Sequence, residues 1–203
     1  MLRRHGGERA DLGHTGAQLA RRLLGETGLA DVAVELTEQG DHYDPAAKAV
    51  RLSAGNYHGR SLTAVTVAAH EVGHAIQDHS GYAPLAWRTR LVVLAQAAEK
   101  IGALLMLASP ILMLVTRRPA SGMVSLVIGA GGFLSAALVH LVTLPVELDA
   151  SYRRALPLLA GIGLPERDLA PARRILTACA YTYVSASLSG MLNIWRWLAV
   201  LRR

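Results

Sequence analysis

The first part of the chain consists of short apolar stretches separated by polar turns. Thr15 is a suitable N-cap for a helix that runs to about Gly25. Residues 31–36 and 48–53 alternate between apolar and polar side chains, which is typical of strands, and the second could pair with the first. We therefore predict a small β-hairpin or edge strand beside helices within an N-terminal region that covers residues 15–84.

Two long apolar runs follow. Residues 91–115 are largely apolar and contain Gln96, with one Glu and one Lys as their only charged residues, and residues 122–144 carry no formal charge other than that of one His. Arg117-Arg118-Pro119 separates the runs. Each run is long enough for a membrane-spanning helix, which needs about 20 residues. The pattern predicts a transmembrane helical hairpin over residues 85–145 that turns at the paired arginines.

The remaining regions complete the predicted domain organisation. Residues 1–14 are polar and Gly-rich, and we expect a flexible N-terminus without the apolar core of a signal peptide. Residues 146–203 contain a hydrophobic segment from Ile175 to Leu201, which either spans the membrane, lies at its interface or packs against the hairpin. The predicted fold class is a mainly α membrane protein in which all four regions form one integrated domain.

Composition agrees with packing in lipid. Of the 203 residues, 52% are hydrophobic and only 5% are aromatic, and the formal net charge is +6. Small residues allow helices to approach closely in membranes, and arginines beside apolar segments are typical of membrane flanks. Interleaved aromatic residues for base stacking are missing, so we expect no nucleic-acid partner. Cys179 is the only cysteine, which excludes an internal disulfide and a zinc site built from cysteines.

The chemistry-bearing motif is His70-Glu71-Val72-Gly73-His74. Two histidines four positions apart lie on one face of a helix and can bind one Zn²⁺, and Glu71 can then act as the general base for water. The alternative is a buried helix with incidental polar residues. Gly73 costs about 1 kcal/mol inside a helix relative to Ala. That cost is tolerable if another segment must approach the helix at this position.

A catalytic zinc usually has three protein ligands, so a third is needed. A hairpin returns the chain to the side of the first two ligands near residue 145, where Glu147 and Asp149 lie. We favour Glu147 as the ligand and keep Asp149 as the alternative. Residues two apart on an α-helix point to roughly opposite faces, so both cannot bind one ion. Asp149 would then be a partner for another helix.

Three further residues are candidates for contacts with the oxyanion or the substrate. His42 lies in an Asp-rich turn, and Tyr152 and Arg153 follow the third-ligand region. The alternatives are an exposed turn histidine, a Tyr at the membrane interface and an Arg that contacts phospholipid. The Val50–Ser53 strand could hold an extended substrate by edge pairing.

These motifs together resemble a known family. His70 to Gln77, followed by Gly81-Tyr82-Ala83-Pro84 and later by Leu144-Pro145-Val146-Glu147, is similar to the YugP-type bacterial membrane zinc metallopeptidases. The resemblance implies a gluzincin-like enzyme with a zincin-like catalytic helix. More distantly, the layout resembles HtpX-type and CAAX-prenyl endopeptidases, in which a Glu-x-x-Ala-Asp motif supplies the third zinc ligand. Here Ser151 replaces the final acid, which leaves the support of His70 or His74 in question.

The sequence therefore predicts a membrane-embedded zinc endopeptidase with Zn²⁺ as cofactor and a peptide or protein as substrate. The lipid bilayer is the second expected partner, and a homo-oligomer is compatible with the sequence. The alternative is a non-catalytic membrane protein with a structural zinc site that acts as a scaffold or assembly factor. Arginines concentrate on the predicted catalytic side of a multi-pass cell-membrane protein, so the positive-inside bias places the active site in the cytoplasm.

Overall fold

The computed structural model describes residues 2–182, apart from the side chains of residues 3, 133, 136–138 and 140–142. The elements, in chain order, are a 3₁₀ turn Leu2–His5, α1 Gly16–Glu26, β1 Ala33–Leu36, β2 His42–Asp44, β3 Ala49–Leu52, α2 Ala54–His58, α3 Leu62–His79, α4 Ala83–Thr116, α5 Pro119–Leu148, a π-helical segment Asp149–Ala155, α6 Leu156–Gly161 and α7 at residues 166–182. The chain forms two compact units. The first contains Met1–Leu85 and Pro145–Tyr181, and the second contains Ala86–Leu144.

Helix α1 begins where the sequence predicts. The Thr15 hydroxyl accepts a hydrogen bond from the Gln18 backbone N–H at 3.2 Å, and the Gln18 side chain accepts one from the Thr15 N–H at 2.9 Å. This reciprocal capping box satisfies two N–H groups that the helix cannot bond internally. Leu19, Leu23 and Leu24 form the buried face of α1 in the core of the first unit.

The strands form a three-stranded sheet in the order β1-β3-β2. β2 and β3 are an antiparallel hairpin, and β1 pairs with β3 in parallel, so the predicted pairing of the two alternating segments is confirmed. The predicted use of the Val50–Ser53 strand as an edge for substrate is wrong. β3 is the central strand, and its backbone groups already pair with a neighbour on each side.

Helix α3 lies at the centre of the first unit and packs against α1, the sheet and the π-helical segment. The Ser61 side chain caps its start by accepting from the Ala64 N–H at 3.0 Å. A Cβ at Gly73 would lie only 2.7 Å from the Ala150 carbonyl oxygen. The π-helical segment therefore approaches α3 more closely than any side chain at this position would permit. This close approach accounts for the glycine inside the helix.

The second unit contains the predicted helical hairpin, with its turn at the paired arginines. Small residues form the contact between α4 and α5. A Cβ at Gly102 would lie 2.7 Å from the Gly129 carbonyl oxygen, and the Ser125 hydroxyl donates to the Leu105 carbonyl at 2.7 Å. The outward faces expose large apolar side chains such as Leu104 and Leu114. The predicted helical pair is thus confirmed as a packing arrangement.

By length and composition, one of these helices is a candidate for spanning a membrane. Within the described residues, Ala83–Thr116 is the one helix long and apolar enough to cross a bilayer, and the described apolar stretch of α5, Pro119–Gly132, is shorter. The predicted hydrophobic segment from Ile175 onward begins within α7. Its part from residue 183 lies outside the described residues.

Candidate metal centre

Three buried side chains converge in the first unit. His70 and His74 project from one face of α3, and Glu147 comes from the end of α5. The Glu147 Oε2 atom lies 3.3 Å from His70 Nε2 and 3.2 Å from His74 Nε2, and one ligand atom from each residue lies within 4.8 Å of the other two. The structure therefore brings together the three residues that the sequence selects as metal ligands.

A chain of hydrogen bonds begins at the Nδ1 atom of His74 and holds the ring in place. Its Nδ1 lies 2.9 Å from the Gln77 side-chain oxygen, Oε1. The Gln77 Nε2 group donates to Asp149 Oδ2 at 2.8 Å and to the Val146 carbonyl at 2.9 Å. Because both amide hydrogens are used in this way, Oε1 must be the atom that faces the imidazole. His74 Nδ1 therefore carries the proton that is donated to Gln77.

His70 is supported differently. Its Nδ1 lies 3.1 Å from the Ser151 hydroxyl, which donates its own hydrogen to the Leu176 carbonyl at 3.2 Å. The hydroxyl oxygen is then the acceptor for the His70 Nδ1–H. Ser151 thus fills the position at which the Glu-x-x-Ala-Asp pattern has an acid, and the support of His70 that the sequence left in question is present.

This network bears on the group that the site can hold. In the tautomer with the proton on Nδ1, each imidazole directs the lone pair of Nε2 toward the carboxylate of Glu147, which is also an acceptor. In that tautomer the three side chains offer an acceptor set that fits a bound cation. Zinc bonds of about 2.0–2.1 Å at tetrahedral angles place neighbouring ligand atoms about 3.3 Å apart. The two His–Glu separations of 3.3 and 3.2 Å fit that geometry, and the three ligand atoms all lie within 4.8 Å of one another.

Asp149 and Glu147 both reach α3, although residues two apart on a helix point in roughly opposite directions. Both side chains contact α3, Glu147 at His74 and Asp149 at Gln77. The backbone becomes π-helical at Asp149, and such segments occur frequently at functional sites. Asp149 does bond another helix, as the sequence-based alternative proposed, but that helix is the one that carries the histidines.

Asp149 is ionised through its partners. Burial alone would raise the pKa of this carboxyl, but hydrogen bonds from Gln77 and Arg154 outweigh burial and hold the pKa below its ordinary value of 3.8. The Arg154 Nε atom lies 2.9 Å from Asp149 Oδ2. A charged carboxylate therefore lies two hydrogen bonds away from His74.

The other predicted site residues occupy varied surroundings. Glu71 follows His70 in α3 and is only 6% exposed. His42 begins β2, with its Nδ1 2.8 Å from the Gly40 carbonyl. The Tyr152 hydroxyl lies 2.6 Å from the Thr177 hydroxyl. The Arg153 side chain is 83% exposed and lies 3.9 Å from Asp149. The roles of His42, Tyr152 and Arg153 remain predictions.

Sequence reasoning missed Gln77. The signal for it is a single amide in a largely apolar helix, one turn after His74, where its side chain can reach the same helix face. The Leu176 carbonyl, which accepts from the Ser151 hydroxyl, could not be predicted either, because every residue has a backbone carbonyl.

The fold and the site define a helical protein with a buried His-Glu-x-x-His motif, which a carboxylate from a second helix completes as a candidate metal centre. A family described as "Putative neutral zinc metallopeptidase" matches residues 1–202. The chain is also 36% identical over 194 residues to "Putative membrane protease YugP" of Bacillus subtilis (strain 168), which covers 94% of this chain and 82% of the relative. The chain belongs to this YugP-type zinc metallopeptidase family. No solved structure matches it significantly.

Proposed function

We propose that the protein is a membrane-embedded zinc endopeptidase that hydrolyses peptide bonds, with Zn²⁺ held by His70, His74 and Glu147. The observation that carries this proposal is the convergence of His70 Nε2, His74 Nε2 and the Glu147 carboxylate in a buried site. Zinc bound there would supply Lewis-acid activation of water and of the scissile carbonyl.

The chain's own residues supply the proton transfers. Glu71 stands next to the first ligand in α3 and is buried, so its carboxylate can take a proton from the attacking water and pass it to the leaving amine. Gln77 and Ser151 keep both imidazoles in the tautomer that offers Nε2 inward. His42, Tyr152 and Arg153 are the candidates for oxyanion or substrate contact.

We further propose that the protein is a multi-pass cell-membrane protein with its active site on the cytoplasmic side. The relative's name, α4 and the exposed apolar side chains of the helical hairpin support membrane association. The orientation rests on the positive-inside bias. The arginines counted on the catalytic side are Arg88, Arg90, Arg153, Arg154, Arg167, Arg173 and Arg174, against Arg117 and Arg118 at the hairpin turn.

The decisive test compares the wild type with Glu71→Gln. We expect the variant to keep its zinc and to lose peptide hydrolysis by about 10²- to 10⁴-fold, because an amide cannot accept the proton. Metal analysis and turnover of a peptide library, both in detergent, give the two readouts. A zinc-loaded wild type that cleaves no peptide would favour the structural-zinc scaffold instead. In that case a substrate-trapping pulldown with Glu71→Gln would also recover no cleavable protein.

A further inference from the structure

We propose that Gln77, Asp149, Arg154 and Tyr82 form a positioning chain that holds His74 for the metal and sets the zinc affinity of the site. None of these side chains is a ligand. The proposal rests on the metal site of the proposed function, but it does not depend on peptide hydrolysis.

The first step in the chain is the orientation of the Gln77 amide. The side chain is fully buried, and all three of its hydrogen bonds have definite directions. A flipped amide would place its NH₂ group against the His74 Nδ1–H, and its oxygen against Asp149 and the Val146 carbonyl. Asp149 and Val146 therefore fix the amide, and the amide fixes the tautomer and the ring orientation of His74.

The second step is the anchoring of Asp149. Arg154 follows it by five residues within the π-helical segment, and its Nε donates to the carboxylate at 2.9 Å. The Arg154 side chain is 19% exposed, whereas that of Arg153 is 83% exposed and lies 3.9 Å away. Arg154 is thus the well-ordered partner and Arg153 a weak one, because exposed ion pairs contribute little.

The third step explains the Gly81-Tyr82 motif. Helix α3 ends in a Schellman turn, in which the Tyr82 N–H bonds to the Gln77 carbonyl at 2.9 Å and the Gly81 N–H to the Asp78 carbonyl at 3.0 Å. Gly81 adopts the left-handed φ of 63° that this turn needs. The turn places the Tyr82 ring under the Arg154 guanidinium, 5.7 Å from the ring centroid, a cation–π contact.

These contacts close a ring. It runs from the Gln77 side chain through Asp149, Arg154 and Tyr82 and returns to the Gln77 backbone. His70 has no such charged chain among the described contacts. Its partner Ser151 is neutral, and the Ser151 hydroxyl donates to the Leu176 carbonyl. Outer partners of this kind typically change metal affinity 10- to 100-fold. His74 is therefore the ligand whose hold on zinc is adjustable through remote residues.

The test measures zinc dissociation constants in detergent by chelator competition. We expect Gln77→Met and Asp149→Asn to weaken zinc binding about 10- to 100-fold, and Tyr82→Leu to weaken it severalfold. The matched control is Asp168→Asn. Asp168 is also a buried carboxylate bonded to an arginine, Arg9 at 2.7 Å, in the same unit. The control should lose stability but change zinc affinity less than twofold.

A reciprocal exchange distinguishes positioning from general structural damage. Gln77→Glu alone places two carboxylates against each other and should weaken zinc binding strongly. Adding Asp149→Asn restores one acceptor for His74 and one amide donor, and should recover at least part of the affinity. The visible spectrum of the Co²⁺-substituted protein should shift in Gln77→Met but not in Asp168→Asn.

Three results would overturn the proposal: a wild type that binds no zinc, unchanged affinity in Asp149→Asn and Tyr82→Leu, or equal losses in Asp149→Asn and Asp168→Asn. If Gln77→Met fails to fold, the Asp149 and Tyr82 variants carry the comparison. A wild type that binds zinc without cleaving peptides would refute the proposed endopeptidase and leave the positioning chain standing. An active enzyme whose variants bind zinc with unchanged affinity would refute the positioning chain and leave the proposed endopeptidase standing.

Discussion

The two compact units of this chain place their polar and apolar side chains in opposite ways. The first unit buries carboxylates, among them Glu71, Glu147 and Asp149, together with other polar side chains beside an apolar core. The second exposes large apolar side chains, such as Leu114 at 80%, and packs its two helices through glycine and serine. Buried charges need partners or a metal, and exposed apolar faces of this extent need an apolar solvent. This difference is the one expected if the first unit holds an ion and the second contacts lipid, as proposed.

Removal of the metal ligands should have the largest effect. We expect His70→Ala, His74→Ala and Glu147→Ala each to lose zinc and activity together, because two ligands leave an incomplete site. Metal content of the purified proteins measures this effect. Asp149→Ala should keep its zinc when the metal is saturating. Full zinc and full turnover in Glu147→Ala, beside a metal-free Asp149→Ala, would identify Asp149 as the ligand instead.

The second prediction concerns the solvent of the second unit. The full chain should require detergent for extraction, because the exposed apolar faces of α4 and α5 would otherwise aggregate. Size-exclusion chromatography with and without detergent measures this requirement. A monodisperse chain in plain buffer would mean that another part of the protein covers these faces, and the contrast between the units would then disappear.

Orientation is tested with single cysteines in a Cys179→Ser background. Ser121→Cys lies near the α4–α5 turn and should react with an impermeant thiol reagent in intact cells. Ser80→Cys, an exposed position at the end of α3, should react only after the membrane is broken. The reverse labelling pattern would place the active site outside the cytoplasm.

A matched pair of glycine substitutions compares the units directly. In Gly73→Ala and Gly102→Ala the new Cβ meets a backbone carbonyl oxygen at the same 2.7 Å, from Ala150 and from Gly129 respectively. Each should destabilise its unit by about 1–3 kcal/mol, the usual range for overpacking. Only Gly73→Ala should also weaken zinc binding, because Ala150 lies in the segment that follows Glu147. Equal effects of the two variants on zinc affinity would refute this assignment.

The smallest effect is expected at Arg153. Its side chain is largely exposed, and its ion pair with Asp149 is long, so Arg153→Ala should change the free energy of unfolding by less than about 0.5 kcal/mol. Zinc affinity should not change. A raised KM with unchanged zinc content would support the predicted substrate contact, and unchanged kinetics would remove Arg153 from the list of site residues.

Several features of this protein follow from the sequence because they depend on near neighbours. The i,i+4 spacing places His70 and His74 on one helix face, and the Thr15–Gln18 box starts α1. The length of the apolar runs predicts the hairpin, and the arginine pair marks its turn. In each case the controlling interaction lies within one or two helical turns or within the length of one helix.

Tertiary structure decided the features that depend on distant partners. β3 is central and not an edge because strand order is set by pairing across the sheet, which alternation within a strand does not encode. The helix-face argument did not predict that Glu147 and Asp149 would both contact α3, because such contacts depend on how the segment packs against α3 and not on spacing along the chain. The proton positions on His70 and His74 depend on Ser151, which lies 81 residues from His70 and 25 from Leu176, and on Gln77, which is fixed by Asp149, 72 residues away. Only the folded chain brings those donors and acceptors within hydrogen-bond distance.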